Sequence, residues 1–352
     1  MKKSRNKYLF FVSPTVGGAT RMSINIANLL LARGEGVEFA VYGGQIRETK
    51  DFIPYGCPYT EIKMRNIWDF PITRFLYLFK KHKITHVFAS LVFLNVRVIL
   101  AAKLAGIKVI VRNDNNLSYF RWDLRMMMKF VYPFANHIIA QQDEMADELR
   151  HLLPFHRNKV VSLQNIFDKK LIDANIQGES PYGDADEVRF IWSGRYHRPK
   201  GHDALLKAFE IVRKKIKNAH LYILGKYNEN DPYYKGLCQF VLDNGLEEFV
   251  HFVGFVSNPH IWIKHADCFV LPSRVEGLPN ALVEAMYIGK PVVATRCVPV
   301  VDRIVSEGFN GFKVEVDDIE AMAKRMVDAL SLKNFEMTYK PATPEKYLEL
   351  FV

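Results

Sequence analysis

The amino-acid sequence predicts an α/β fold of two Rossmann-like, doubly wound domains facing each other across a cleft. The first ground is length, since 352 residues exceed what one hydrophobic core usually serves. The second is a repeated alternation of short apolar runs, rich in β-branched and aromatic residues, with segments of helical period. Strands that are apolar throughout belong to a parallel sheet covered on both faces. The third is a polar, turn-rich break near the middle, after which the alternation begins again.

In the first half, strands are predicted at 8–12, 37–42, 87–89, 108–111, 137–140 and 159–163, with helices near 20–33, 94–104, 124–132 and 142–149. From 168 to 187 the pattern lapses into Gln-Gly-Glu-Ser-Pro-Tyr-Gly-Asp-Ala-Asp-Glu, which reads as a linker. Strands resume at 188–193, 220–225, 250–253, 268–271, 291–295 and 311–314. Helices are expected near 202–215, 233–243, 259–265, 281–288, 300–306 and 319–330, with a last amphipathic one over 344–352. The expected division is a first domain over 1–170, a linker over 171–185 and a second domain over 186–337, the C-terminal segment 338–352 returning to the first. Ligands of such sheets bind outside the carboxyl ends of the strands.

Composition narrows the class. With 49% hydrophobic and 24% charged residues the chain is neither collagen-like, nor a disulfide scaffold, nor a long disordered segment. Its richest apolar stretch, 96–111, is interrupted by Arg97, Lys103 and Lys108, short of the roughly 18 residues a membrane span needs. The opening, Lys2-Lys3-Ser4-Arg5-Asn6-Lys7 before Tyr8, imitates a signal peptide, but five apolar residues then meet Ser13-Pro14, so it reads as a buried strand. Cys57, Cys238, Cys268 and Cys297 form no CxxC pair, which suggests reduced thiols in a cytoplasmic protein.

Charge is unevenly placed. Residues 1–184 hold 26 Lys and Arg against 16 Asp and Glu, a net of +10, whereas 185–352 hold 22 of each. A one-sided positive field favours a polyanion or an anionic membrane surface. The basic stretches contain no nucleic-acid module, so no nucleic-acid partner is expected. Two stretches mix bulky apolar residues with cations: Phe120 through Tyr132, and Phe75 through Phe79 followed by Lys80-Lys81-His82-Lys83. Both suit a helix lying on an anionic leaflet.

Chemistry concentrates in three strand-to-helix connections. The densest runs Leu271-Pro272-Ser273-Arg274-Val275-Glu276-Gly277-Leu278-Pro279-Asn280-Ala281-Leu282-Val283-Glu284. A proline fits the first helical turn because its missing N–H would have gone unpaired, and the remaining amides there attract an anion. Glu284 sits a turn into that helix and Glu276 in the loop before it; carboxylates beside an anion site suit a ligand that is both anionic and hydroxylated. The second is Trp192-Ser193-Gly194-Arg195-Tyr196-His197-Arg198-Pro199-Lys200-Gly201, where Arg195 and Lys200 are placed to grip phosphate. The third is Ser13-Pro14-Thr15-Val16-Gly17-Gly18-Ala19, whose Gly17-Gly18 pair admits close backbone approach. No GxGxxG fingerprint follows the first strand, which argues against a dinucleotide-dependent oxidoreductase, and no GxxxxGK[ST] occurs.

Gly194-Arg195…Lys200-Gly201, Pro272-Ser273-x-x-Glu276-Gly277-x-Pro279 with Glu284 eight positions after Glu276, and Gly289-Lys290-Pro291-Val292-Val293-Ala294 together closely resemble the retaining glycosyltransferases of family 4, which have the GT-B fold. Gly17-Gly18-Ala19 and the strand–helix order extend the likeness over most of the chain. The resemblance implies that Glu276 contacts the donor sugar, Glu284 holds the ribose hydroxyls, and Arg195 and Lys200 bind the diphosphate. It places Gly17 and Gly18 under the phosphate and reacting sugar, with Gly277, Leu278, Pro279, Asn280 and Gly254 completing the donor site. The first domain then receives the acceptor and the second the donor. One departure stands out. Many members carry a histidine after the fourth strand of the first domain, where this chain reads Val111-Arg112-Asn113-Asp114-Asn115. Arg112, Asn113 or Asp114 is the candidate there for holding the donor or the incoming hydroxyl.

None of the eleven histidines shows catalytic or metal spacing, and His137 and His265 read as structural. The activity implied is transfer of a hexose or N-acetylhexosamine from a nucleoside-diphosphate sugar, UDP favoured, with retention at the anomeric carbon. The acceptor expected is a lipid-linked glycan or polysaccharide precursor at the inner face of the cell membrane. With Arg195 and Lys200 to neutralise the leaving group, no metal or other cofactor is expected. The string Asp184-Ala185-Asp186 imitates a metal motif but falls in the linker instead of after a strand. Competing expectations on the same fold are a nucleotide-sugar epimerase, a phosphorylase, or a non-catalytic subunit that binds the sugar nucleotide.

Overall fold

A computed structural model describes residues 6–351 apart from 16, 64–70, 168, 184–185, 334–336, 338 and 340. The chain divides into two compact units, Met1–Phe167 with Pro341–Val352, and Asp168–Lys340. Each is a parallel sheet with helices on both faces.

In the first unit the strands are β1 (Lys7–Val12), β2 (Gly36–Tyr42), β3 (Tyr59–Ile62), β4 (His86–Ala89), β5 (Lys108–Asn113), β6 (His137–Ala140) and β7 (Val160–Ser162). Their order across the described sheet is β3-β2-β1-β4-β5-β6-β7, all parallel. Alternation along β1 sends Phe10 and Phe11 to opposite faces. Phe11 packs on Phe75 in the core of one face, and Phe10 on Phe39 and Phe88 in the core of the other. Both faces are apolar, which is why β1 reads as an uninterrupted hydrophobic run.

The sheet reverses direction of growth between β1 and β4. Its switch point therefore receives the loop after β1, where Gly17 caps the helix Gly18–Ala32, and the loop after β4, where Ser90 meets Ser23 at 3.1 Å. Two elements lie outside the sequence expectation. Strand β3 was hidden because Tyr59 is exposed at a sheet edge, and Pro58 ahead of it signals a turn. The helix Ile72–His82 buries Phe75, Leu78 and Phe79 in the core, so the aromatic run 75–79 belongs to the interior and not to a membrane-facing surface. Only Tyr77 of its rings stands out, beneath Lys81.

The second unit holds β8 (Val188–Ser193), β9 (Ala219–Leu224), β10 (Val250–Gly254), β11 (Cys268–Leu271), β12 (Val292–Thr295) and β13 (Gly311–Val314). The order is β10-β9-β8-β11-β12-β13, again all parallel, with its switch point between β8 and β11. The stretch read as linker begins as structure: the helix Lys169–Asn175 buries Ile172 and packs on the helix Pro259–His265. All four cysteines are free.

Residues 341–352 cross back to the first unit through the helix Pro344–Glu349. Tyr347 is fully buried, and its hydroxyl lies against the carbonyls of Leu163 (3.1 Å) and Gln164 (2.7 Å). Phe351 stacks on Phe10 at 6.2 Å, while the Tyr8 hydroxyl donates to its carbonyl at 2.8 Å. This segment is thus a structural cover of the β1–β4 region. Tyr347→Ala is expected to destabilise the first unit by ~3–5 kcal/mol and Tyr347→Phe by ~1 kcal/mol, read from denaturant midpoints of the full chain. Equal stability of wild type and Tyr347→Ala would remove that role.

Candidate active site

Two loops meet at the switch point of the second unit, and glycines allow the meeting. The chain leaves β8 through Gly194, where a Cβ would stand 2.6 Å from the Trp192 ring. After the turn Arg198–Lys200, Gly201 takes φ +70°. A Cβ on Gly201 would sit 2.0 Å from the Pro272 carbonyl oxygen, so no other residue brings the two backbones this close. Backbone bonds complete the seam: Arg274 N–H donates to the Pro199 carbonyl at 2.7 Å and Val275 N–H to the same oxygen at 3.4 Å.

Arg274 clamps the seam. Its Nη1 and Nη2 grip the Asp203 carboxylate at 2.8 and 2.9 Å, Nη1 also donates to the Arg198 carbonyl at 2.9 Å, and Nε donates to Asp317 at 2.9 Å. Burial works to raise the Asp203 carboxyl, but the bonds from Arg274 and from Tyr233 hold it below the ordinary carboxylate range. With two carboxylates on it, Arg274 is spent on structure.

The seam puts Lys200 beside Glu276. Lys200 Nζ donates to Glu276 Oε1 at 2.6 Å, and the Ser273 hydroxyl donates to the same oxygen at 2.7 Å. Thr295, at the end of β12, donates to the Leu271 and Ser273 carbonyls and so holds the start of the loop. The Cys297 thiol below is pushed up to about 12, first by burial and then by the Glu276 charge. Lys200 keeps two further N–H donors for a ligand. Arg195, by contrast, is exposed and pairs with no carboxylate among the described residues.

After the loop, Pro279 precedes the helix Asn280–Tyr287, with Leu282 N–H bonded back to the Pro279 carbonyl at 3.0 Å. Gly277 and Leu278 lie in the connection between Glu276 and that helix. Glu284 stands one turn in, its Oε2 3.3 Å from His260 Nε2. His260 was passed over in the sequence because it matches no catalytic or metal spacing. The available signal was Asn258-Pro259 just before it, since Asn258 caps the helix Pro259–His265 by accepting from His260 N–H at 3.1 Å. Gly254 ends β10 at φ +85° and accepts from Gly225 N–H at 2.8 Å, two strands from β8.

The first unit separates its own candidates. Gly17 and Gly18 stand at the head of their helix, Gly18 exposed. Arg112 is completely buried and donates to Asn165, while its carbonyl accepts from Asn95 at 3.0 Å. Asn113 is buried too, its Oδ1 accepting from the Tyr132 hydroxyl at 2.8 Å. Both are therefore interior supports. Asp114 is half-buried as a residue, and burial raises its carboxyl, with Arg112 pulling the other way. Of the string Asp184-Ala185-Asp186, the first two lie outside the described residues.

Two parallel α/β units, the second carrying the Lys200–Glu276 pair at its switch point, have the architecture of a GT-B glycosyltransferase. The chain belongs to glycosyltransferase family 4, with the GT-B fold. Its residues 16–171 match the model described as Glycosyltransferase Family 4 and residues 180–346 the one described as Glycosyl transferases group 1. It is similar to an uncharacterized glycosyltransferase of Haemophilus influenzae, 27% identical over 88% of this chain and 86% of that one. A capsular polysaccharide biosynthesis glycosyltransferase of Staphylococcus aureus, CapH, is 24% identical over 77% of this chain and 76% of its own. Among solved structures, Anabaena HepE in complex with UDP and glucose superposes with a TM-score of 0.76 at 19% identity, covering 93% of this chain and 92% of that one.

His202, beneath the Lys200 turn, is fully buried and accepts from Trp192 Nε1 at 3.2 Å while stacking on Tyr196. Burial lowers it to about 4; Asp203 opposes the shift and Lys200 adds to it. An unfolded histidine takes its proton near 6.5, so this group's stabilisation is full above that pH and is lost as pH falls toward 4. The expected change is ~3 kcal/mol. Denaturant midpoints at pH 7.5 and 4.5 test it, with His202→Gln expected to show a shallower acid loss. An equal acid loss in the variant would refute the assignment.

Proposed function

We propose that this glycosyltransferase is a retaining enzyme that moves a hexose or N-acetylhexosamine from a nucleoside-diphosphate sugar, UDP favoured, to a hydroxyl of a lipid-linked glycan or polysaccharide precursor at the inner face of the cell membrane. The observation that carries the donor reading is the Lys200–Glu276–Ser273 contact at the β8/β11 switch point, with Arg195 exposed in the same β8 loop. A sugar bound through C1 to a diphosphate needs cations at the leaving oxygen and an acceptor for its hydroxyls, and both are present within one seam.

In this reading the bond from C1 to the β-phosphate oxygen breaks, the acceptor hydroxyl oxygen bonds to C1 from the same face, and its proton passes to the departing phosphate. Charge grows on that oxygen in the transition state, where Arg195 and the two remaining donors of Lys200 stabilise it more than they do the ground state. Those cations also support transfer without a resident metal. Glu276, with Oε1 held by Lys200 and Ser273, is left to accept a sugar hydroxyl through Oε2. An epimerase or phosphorylase would turn over without an acceptor, and a binding subunit would not turn over at all.

A thermal-shift panel of UDP-, GDP- and ADP-sugars tests the donor site on wild type, Arg195→Ala and Glu284→Ala. Both variants are expected to stay folded and to lose the ligand-induced shift, with turnover of Arg195→Ala down ~10²–10³-fold. Undiminished protection of both variants by the winning ligand would place the donor elsewhere. Lys200→Ala is the less informative change, because stripping Glu276 of its partner also destabilises the fold.

The membrane part rests on the helix Trp122–Val131. Leu124, Met127, Met128 and Val131 turn inward, leaving Trp122 (71% exposed), Met126 and Phe130 (66% exposed) as an outward apolar stripe at four-residue spacing. Arg121, Arg125 and Lys129 run beside it at the same spacing, all exposed. An apolar stripe flanked by cations fits the boundary of an anionic leaflet. Among the described residues no helix is long and apolar enough to cross a membrane. Vesicle flotation is expected to show binding to anionic and not to neutral liposomes. Replacing Arg121, Arg125 and Lys129 by alanine should weaken it about a hundredfold, at ~1 kcal/mol per cation. Absence from both vesicle types would retire the membrane claim.

A further inference from the structure

Glu284 does not stand alone in its helix. Its Oε2 faces His260 Nε2 at 3.3 Å, and the opposite ring nitrogen, Nδ1, faces the Asn175 amide Nδ2 at 3.0 Å. An amide NH₂ only donates, so Nδ1 must accept, and the imidazole proton is placed on Nε2, pointing at the carboxylate. The surroundings are tied together as well: the His260 backbone N–H donates to Asn258 Oδ1 at 3.1 Å, Asn258 Nδ2 donates to the Asn175 carbonyl at 2.7 Å, and the His260 side chain is 6% exposed. The Tyr287 hydroxyl donates to Asp173 at 2.8 Å, tying the helix of Glu284 to the helix of Asn175.

From this geometry we infer that His260, set in one tautomer by Asn175, is a positioning residue that fixes the rotamer of Glu284 and thereby the enzyme's grip on the nucleoside ribose. The assignment rests on the proposed donor site, where Glu284 meets the ribose hydroxyls, and adds to it a residue that touches no substrate. One carboxylate oxygen accepts from His260 and is held; the other is left oriented for the ligand. A glutamate on an exposed helix surface would otherwise sample several rotamers, and each hydroxyl bond would bear the cost of ordering it. Asn175 lies on the helix Lys169–Asn175, so the control of this rotamer comes from outside the strand-to-helix loops that make up the rest of the site.

The test compares binding of a nucleoside diphosphate with that of its 2′,3′-dideoxy analogue by calorimetry. UDP, GDP and ADP are screened on wild type, and the tightest is used. Wild type is expected to prefer the ribose form by about tenfold or more, the size of one charge-assisted hydrogen bond. His260→Ala should bring that ratio close to one by weakening the ribose form alone, whereas His260→Gln, which can still donate to Glu284, should keep most of it. Donor KM should rise in His260→Ala with a smaller change in kcat. In ¹⁵N-histidine spectra of wild type, the His260 signals, assigned by their loss in His260→Gln, should show a protonated Nε2 and a bare Nδ1; this readout does not depend on the alanine variant folding. An equal loss of both ligands in His260→Ala, an unchanged ratio, or the reverse tautomer would overturn the assignment. Wild type that binds none of the three nucleotides would overturn the donor-site reading itself, and this one with it.

Discussion

The candidate site of the second unit depends on a close approach, the backbone of Gly201 against the carbonyl of Pro272. A methyl group at 201 would lie 2.0 Å from that oxygen, so the loops after β8 and β11 share a seam only because glycine is there. The seam sets Lys200 2.6 Å from Glu276, although 75 residues separate them in sequence. Arg274 then closes it with Asp203, Asp317 and the Arg198 carbonyl, a bidentate grip from a planar group that a flexible lysine would not reproduce. Beneath the seam Trp192 and His202 form a buried hydrogen-bonded pair.

Charge at the site is divided by commitment. Arg274 is neutralised by two carboxylates and serves the loop. Lys200 is half committed, one donor to Glu276 and two to spare. Arg195 is exposed and meets no carboxylate among the described residues. In the proposed donor reading these cations suit a diphosphate's developing charge, since a preorganised but incompletely paired ammonium needs little rearrangement at the moment of reaction. The carboxylates are treated similarly: Glu276 gives one oxygen to Lys200 and Ser273, and Glu284 one to His260.

The first unit follows the same topological rule with a different content. Its switch point presents a glycine-headed helix and two serines in place of a cation–carboxylate pair. Arg112, one residue before the end of its β5, is engaged inside by Asn165. Part of its positive charge stands on a helix that turns Trp122, Met126 and Phe130 outward beside Arg121, Arg125 and Lys129.

Much of this was legible in the residues. Strand and helix order followed from apolar runs such as Tyr8–Val12 and from helical period, because burial on both faces of a parallel sheet leaves a signature in any short window. The site strings around Arg195, Lys200, Glu276 and Glu284 were legible because glycine, proline and charge fall at fixed places after strands. The edge strand Tyr59–Ile62, half solvated, lacked that signature. Local pattern likewise gave no distinction between the aromatic run at 75–79, which is core, and the one at 122–130, which faces outward, since each offers rings and cations at helical spacing. Sequence by itself determined the two α/β units, the strand-end location of the chemistry and the residue types available for it. Only the tertiary structure decided that Arg112 is buried, that Arg274 is a clamp, and that His260 and Asn175 stand behind Glu284. Those roles depend on which distant backbone each side chain meets, and such long-range contacts leave no periodic mark in the chain.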